Sequence, residues 1–434
     1  MERFFLQNSS AWLALQPRRK ELWMLFKTIF RSMQLAAIMM AFLFLLSACG
    51  RETPQEIPIS HDVYVWQRQW TPALKEALAV AGPWISTWHV LGAEIGRRGQ
   101  LFPVDINSMA VAQTGKPVVL VIRINGQLLG WEPEPIIKAS LALVENWRKS
   151  GVPVVGLEID HDCATSRLPE YAKLLGQLRQ AMARQDLSLV ITALPAWLGA
   201  PALPNLLGQV DEAVLQVHSV SNPRHGLFDP EQAGAWVKEF SAISPVRFRV
   251  ALPTYGSRIA WDAGGRVLAV ESEVPMGLAG SRTQELGVKP EAVGALLDTW
   301  RHHILPGFTG VAWFRLPTSD DQRAWSLNTW KVVMEGRKLM PKFTAVAVPG
   351  EYTGLFDVFV ANESDLDGPV PKEIHIMSTQ KCGAADALGA YYIVQSQQEV
   401  QFHLAKPTTL RAHHRSIIGW VRCTNNEVKV NVYP

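Results

Sequence analysis

The stretch GLEIDHDC, Gly156 to Cys163, carries three acids at alternate positions of an otherwise apolar run. A strand has a side-chain period of two, so Glu158, Asp160 and Asp162 share one face and Leu157 and Ile159 the other. Carboxylates are costly to bury without partners. The acidic face is therefore not a plain core but a polar interior or a site.

On either side of this stretch, apolar strand-like runs alternate with amphipathic helical segments. The strand candidates are DVYVWQRQW from Asp62, STWHVLG from Ser86, PVVLVIRING from Pro117, PVVGLEIDHD from Pro153, LSLVITALP from Leu187, EAVLQVHSV from Glu212, VRFRVALPTYG from Val246 and FTGVAWFRLP from Phe308. Between them lie helices such as PEPIIKASLALVENWRKSG and LPEYAKLLGQLRQAMARQ, with apolar residues at three and four spacing. Eight strands separated mostly by helices over about 270 residues fit a single (β/α)8 TIM-like barrel. A doubly wound open sheet is the rival, but no glycine-rich phosphate turn follows the first strand. The barrel is expected over residues 61–340.

After Pro341 the grammar changes to short alternating strands joined by Gly, Asn, Asp and Pro turns, which predicts an all-β immunoglobulin-like sandwich over 341–434. The sandwich reads as a carbohydrate-binding module or as a spacer that packs on the barrel; Tyr391, Tyr392, Trp420 and Tyr433 mostly fit strand alternation there and read as core.

The N-terminus addresses where the protein resides. Arg18, Arg19, Lys20, Lys27 and Arg31 precede an apolar run from Leu35 to Leu46 that ends in LSAC, Leu46 to Cys49. A membrane-spanning helix needs about 20 apolar residues, so residues 1–49 read as a secretory signal, with Met24 an alternative start. Residues 50–60 form a linker. In an oxidising compartment Cys382 and Cys423 are natural disulfide partners, and Cys163 is left as a small buried hydrophobe. Once this leader is set aside, the charges behind a net +3 are spread without clusters and give no nucleic-acid groove. No histidine and cysteine spacing suits zinc, and no cofactor is expected.

Barrels of this kind place function at the C-terminal ends of the strands. By that rule Glu158 lies deep, Asp160 near the mouth and Asp162 at the rim. Crowded carboxylates raise one another's pKa, so that one acts as an acid while another stays anionic, in a titration shared by the group. Trp66, Arg68 and Trp70 share a face of the first strand, and Trp88 lies on the second. Arg123 and Asn125 end the third, Gln216 and His218 the sixth, Tyr255 follows the seventh, and Trp313 and Arg315 end the eighth. Aromatic faces beside carboxylates suit a sugar ring, whose apolar face stacks while its hydroxyls find polar partners. The same tryptophans also fit barrel packing. His218 equally fits a satisfied interior histidine, and Arg123 and Arg315 fit internal pairs with Glu158 or Asp160.

The spacing Gly156, Glu158, Asp160, Asp162 resembles the fourth-strand motif of chitinase-like family 18 glycoside hydrolases, a glycine followed by three acids at alternate positions. That resemblance implies Asp162 as the proton donor and Asp160 as its helper. It departs from the motif in having an aspartate where the donor is a glutamate, and a glutamate first. Trp313, in GVAWFRLPTSDD, resembles the tryptophan that floors the sugar site. LSAC resembles the lipobox of bacterial lipoproteins, which implies a lipid on Cys49 and, with Gly50 following, an anchor in the outer membrane facing the periplasm. The segment LEIDHDCATSRLPEYAKLLGQLR resembles the central motif of a bacterial lipoprotein family defined only as a domain of unknown function.

The expected function is a cell-envelope glycoside hydrolase acting on a polysaccharide by carboxylate acid/base chemistry. Asp160 and Asp162 are its catalytic candidates, with Glu158, Trp66, Arg68, Arg123, Gln216, His218, Tyr255, Trp313 and Arg315 binding substrate. The alternative is a non-catalytic lipoprotein that binds glycan or protein at the same mouth. Metal-assisted deacetylation through Asp160, Asp162 and His218 is a weaker third reading. The oligomeric state is left open.

Overall fold

A computed structural model describes residues 23–24, 26–34, 39–40, 58–129, 132–218, 224, 226–271, 282–303, 305–338, 340–396, 398–424 and 427–433. Two units are distinct, Met1–Glu56 and Ile57–Pro434. In the first, the described residues are helical, and Cys49 lies outside them. Among the described residues no helix is long and apolar enough to cross a membrane.

The second unit opens with a parallel barrel whose strands are β1 (Ser60–Val65), β2 (Trp88–Ile95), β4 (Val118–Ile124), β5 (Val154–His161), β6 (Ser188–Ala193), β7 (Glu212–Gln216), β8 (Arg247–Pro253) and β12 (Phe308–Phe314). They are hydrogen-bonded in the order β1-β12-β8-β7-β6-β5-β4-β2, and pairing of β1 with β2 closes the ring. These are the eight strands expected from the sequence. Helices α1 (Pro72–Ala81), α2 (Ser108–Gln113), α3 (Pro133–Lys149), α4 (Leu168–Met182), α5 (Leu203–Leu207), α6 (Pro230–Ile243), α7 (Pro290–His302) and α8 (Leu327–Met334) accompany them. Pro at the first or second helical position starts α1, α3, α4, α6 and α7, where a missing N–H costs no hydrogen bond. The main apolar core lies between the strands and the helices and includes Leu157, Ile159, Leu175, Val237, Leu297 and Trp330.

Two additions went unread in the sequence. A short strand β3 (Leu101–Pro103) folds back antiparallel on the end of β2. After β8 a three-stranded antiparallel sheet stands out, formed by β9 (Ser257–Trp261), β10 (Val267–Glu271) and β11 (Arg282–Leu286) in the order β10-β9-β11. Arg323 ties it to the barrel through Glu271 and Glu285.

The C-terminal part is all-β, with a short antiparallel pair, β15 (Gly368–Pro369) and β20 (Thr409–Leu410), in addition to two larger sheets. One antiparallel sheet joins β13 (Phe343–Pro349), β14 (Leu355–Asn362), β21 (Arg415–Cys423) and β17 (Cys382–Ala387) in that order. The other joins β18 (Tyr391–Gln395), β19 (Glu399–Leu404), β16 (Glu373–Met377) and β22 (Lys429–Tyr433). Val358, Val360 and Ile418 of the first sheet meet Ile374, Val400 and Phe402 of the second in one core. Cys382 and Cys423 form a disulfide between the adjacent strands β17 and β21, and Cys163 is free and buried. Of the aromatics read as core, Tyr391 is buried, but Tyr392 and Tyr433 stand on the solvent face. This domain is held to the barrel at the start of α8, where the Asp367 carboxylate accepts from the Ser326 N–H and hydroxyl at 2.8 and 2.7 Å.

Candidate active site at the barrel mouth

The inward-facing residues are even-numbered on β1, β5, β7 and β12, and their polar members form a chain of alternating charge along the barrel. At the base, Arg249 Nε lies 2.9 Å from both Glu212 and Asp62. His89 bridges Asp62 (Nε2, 3.3 Å) and Glu158 (Nδ1, 2.5 Å), and the Tyr64 hydroxyl donates to Glu158 at 2.7 Å. Burial by itself would discharge His89. The carboxylates of Glu158 and Asp62 outweigh it and hold the imidazolium up to about 9. Opposite charges are thus stacked in a buried interior that excludes water and would not tolerate them singly.

Asp160 sits one step higher on β5 and is buried. Its Oδ1 accepts from Thr192 Oγ1 at 2.7 Å and from Gln216 Nε2 at 3.0 Å. Its Oδ2 lies 3.9 Å from Arg123 Nε, the residue beside it in the β4–β5 register. Burial and then the charge of Asp162 push its carboxyl up to about 7. With Oδ1 occupied by two donors, the proton belongs on Oδ2, on the side of Arg123. Asp162 follows the end of β5 and is exposed. Partial desolvation at the mouth raises its pKa while Arg123 opposes the rise. Gly126 passes so close that a Cβ there would lie 2.4 Å from the Asp162 carbonyl oxygen. The loop after β4 therefore fixes the backbone of Asp162.

Two cavities meet at these residues. A central one of about 120 Å3 is lined by Tyr64, Trp66, Arg123, Asp160, Asp162, Thr192, Gln216, His218, Ala251 and Phe314. A second of about 310 Å3 runs toward β3 and is lined by Glu94, Phe102, Arg123, Asn125, Gly126 and Asp162 among others. Arg123 and Asp162 belong to both. A guanidinium over the Trp66 ring, at 5.9 Å, closes the central cavity on one side. On the other, Phe314 stacks on His218 with centroids 4.5 Å apart and planes 12° apart. Burial takes the His218 pKa down to about 4, so it enters the cavity as a neutral ring, within 3.2 Å of the Tyr255 hydroxyl.

Trp66, Arg123, Gln216 and His218 thus line the mouth with the two aspartates, as the strand-end rule expects. Several expected contacts need correction. Trp313 is fully buried behind the wall, against Trp325 and Trp330, with its indole N–H toward His61. Its neighbour Phe314 takes the inward place. Glu158 does not reach the cavity, because Tyr64 and His89 consume its oxygens below it. Tyr255 is buried and touches His218 without lining the central cavity. Arg68 and Arg315 line a separate cavity of about 280 Å3 between the β1 and β12 loops. There Arg315 pairs with Asp321, while Arg68 grips Glu94 at 2.6 Å. Among the described residues no three of His, Cys, Asp and Glu are arranged to hold a metal ion, so Asp160, Asp162 and His218 form no such group. The residues that went unread, Tyr64, His89, Thr192 and Phe314, lie on inward positions that strand parity marks only once the inner face is known.

No curated protein matches the chain. Among solved structures the chain is similar to the spore cortex-lytic enzyme SleL of Bacillus cereus (12% identity, 66% of this chain and 76% of that chain, TM-score 0.48). It is similar to a class V chitinase of Pseudomonas fluorescens (12% identity, 64% and 100%, TM-score 0.46) and to a family GH18 chitinase of Chromobacterium violaceum (9% identity, 86% and 91%, TM-score 0.41). Residues 114–319, from before β4 to beyond β12, match the model of a domain of unknown function, DUF3142, and residues 345–424 match that of a second, DUF8456.

Proposed function

We propose that this chain is a glycoside hydrolase that cleaves within a polysaccharide at the cell envelope. One observation carries the reading: Asp162 stands where two cavities meet, with Asp160 behind it holding a proton up to about pH 7. A glycosidic oxygen has a sugar on each side, so the acid that protonates it must reach between two sugar sites. In the reaction the bond from the anomeric carbon to that oxygen breaks, the leaving hydroxyl takes the acid's proton, water supplies the hydroxyl that replaces it, and that water's other proton returns to the carboxylate. Asp162, facing solvent and both cavities, is the donor. Asp160 is its helper, and carboxyls both raised above the ordinary range, Asp160 by burial and by the charge of Asp162, and Asp162 by partial desolvation, meet the pKa demand on an acid/base couple. Trp66 and Phe314 supply aromatic walls for the sugar in the central cavity, with Gln216 and Arg123 beside it.

The test is release of reducing ends from a polysaccharide panel by the wild type, Asp162→Asn and Asp160→Asn. Loss of about a hundredfold or more is expected in each variant. Unchanged release in the variants, or none from the wild type, overturns the reaction. The binding-only alternative is favoured by one feature, an aspartate at 162 that is a methylene shorter than the glutamate of the resembled motif. It predicts retained glycan binding with no product. For the location we propose a lipid on Cys49 at the outer membrane. Fatty-acid labelling lost in Cys49→Ser supports it, and labelling absent from the wild type refutes it.

A further inference from the structure

The outer face of the sheet β18-β19-β16-β22 carries an arrangement that solvent exposure does not require. Register places Tyr392 beside His403, His403 beside Glu373, and Glu373 beside Tyr433, one row across all four strands. Tyr392 stacks on His403 (5.4 Å, 23°), His403 lies 6.4 Å from His375, and His375 lies 4.5 Å from Tyr433. Four rings thus run side to side across three strand spacings, roughly 14 Å. Both terminal rings are open to water, Tyr392 at 51% and Tyr433 at 43% exposure, whereas Tyr391 beside them turns inward at 8%.

The rings are held in place by polar neighbours. His375 Nδ1 is 2.8 Å from Glu399, His403 Nδ1 is 3.6 Å from Glu373, and His403 Nε2 is 3.1 Å from Gln401. Asn431 flanks His375 in register. A face built to bury against protein would present an apolar centre with few charges. Here the centre is histidine and carboxylate, and the two exposed apolar groups are single, Val394 in the row of His375 and Met377 in the row of Glu399. Two carboxylates along the strip also repel a polyanion. Fixed rings interleaved with carboxylate and amide acceptors match a chain whose apolar ring faces alternate with hydroxyl donors.

We infer that this face is a second carbohydrate surface, which takes an uncharged polysaccharide chain laid across the strands. It does not depend on the reaction proposed for the barrel. Its consequence is that the chain holds a polymer with one domain while presenting the barrel mouth to it with the other.

The test is cosedimentation of the full chain with three insoluble uncharged polymers, chitin, cellulose and curdlan. The variants are Tyr392→Ala/Tyr433→Ala and, to separate lost rings from lost folding, Tyr392→Phe/Tyr433→Phe. Binding to at least one polymer is expected, weakened about tenfold or more by the alanine pair and within about twofold of wild type in the phenylalanine pair. Retained binding in the alanine pair would move the contact elsewhere and overturn the inference, as would a wild type that binds none of the three. Reducing-end release from soluble substrate is read in parallel. It should survive the alanine pair, so failure here is distinguishable from failure of the barrel chemistry.

Discussion

Asparagine at position 160 should stabilise the protein, by an amount that grows with pH. The native state holds the Asp160 proton up to about pH 7 against an ordinary value of 3.8. Between those values the folded form binds a proton that the unfolded chain has released, so stability falls as pH rises through the window and levels off above it. The difference between those two values corresponds to roughly 4 kcal/mol, as an upper limit, once the carboxylate is forced to ionise in its buried place. Asparagine has the same shape, and its carbonyl oxygen can accept from both Thr192 and Gln216, so the replacement leaves those donors satisfied and removes the ionisation. The variant should match the wild type at pH 4 and exceed it by about 2–4 kcal/mol at pH 8.5, while losing activity. The assay is urea unfolding of both proteins at half-unit steps from pH 4 to 9. The difference between them cancels contributions from groups that do not act on Asp160, such as His89. A difference that stays flat with pH would refute the assignment of a buried, proton-holding Asp160.

Other consequences follow from the same geometry. His89 is raised to about 9, so its contribution, on the order of 3 kcal/mol, is fully present below pH 6.5 and lost as pH rises through 9. His89→Leu should cost about 3–5 kcal/mol at pH 6 by stranding Glu158 and Asp62, measured by chemical unfolding. Gly126→Ala places a Cβ against the Asp162 carbonyl, so hydrolysis should fall at least about tenfold with the melting temperature shifted by no more than a few degrees. Phe314→Ala should raise KM on a polysaccharide substrate, whereas Trp313→Ala, behind the wall, should lower stability by about 3–5 kcal/mol. Reducing the Cys382–Cys423 bond, which spans a separation of 41 residues, should cost roughly 4 kcal/mol on the entropy model, seen as a drop in the melting temperature under reductant.

Strand count, barrel closure and the change to an all-β domain were legible because periodicity and turn chemistry are local properties, repeated often enough to agree. The acids of β5 were legible for the same reason. Charge on alternate residues labels the inner face without any tertiary information, and Asp160 and Asp162 did arrive at the mouth. The sheet β9 to β11 was missed. β11, reading Arg-Thr-Gln-Glu-Leu, is polar and exposed, and the short apolar runs of β9 (Ile-Ala-Trp) and β10 (Val-Leu-Ala-Val) are not followed by a helix, the alternation by which the barrel strands were found.

What the chain alone could not decide was the inner face of the remaining strands. A parallel barrel strand is buried on both sides, by the interior and by the helices, so both parities read as apolar. On β12 the sequence offers Trp313 and Phe314 with equal claim, and only closure of the ring, which sets Ala312 and Phe314 against Tyr64 and Trp66, turns the tryptophan outward. Closure likewise brings His89 between Asp62 and Glu158, residues 27 and 69 positions away from it. The sequence by itself determined which carboxylates share a face. Whether each carries a proton was decided by the tertiary structure, because that depends on the water removed and the charges assembled around it.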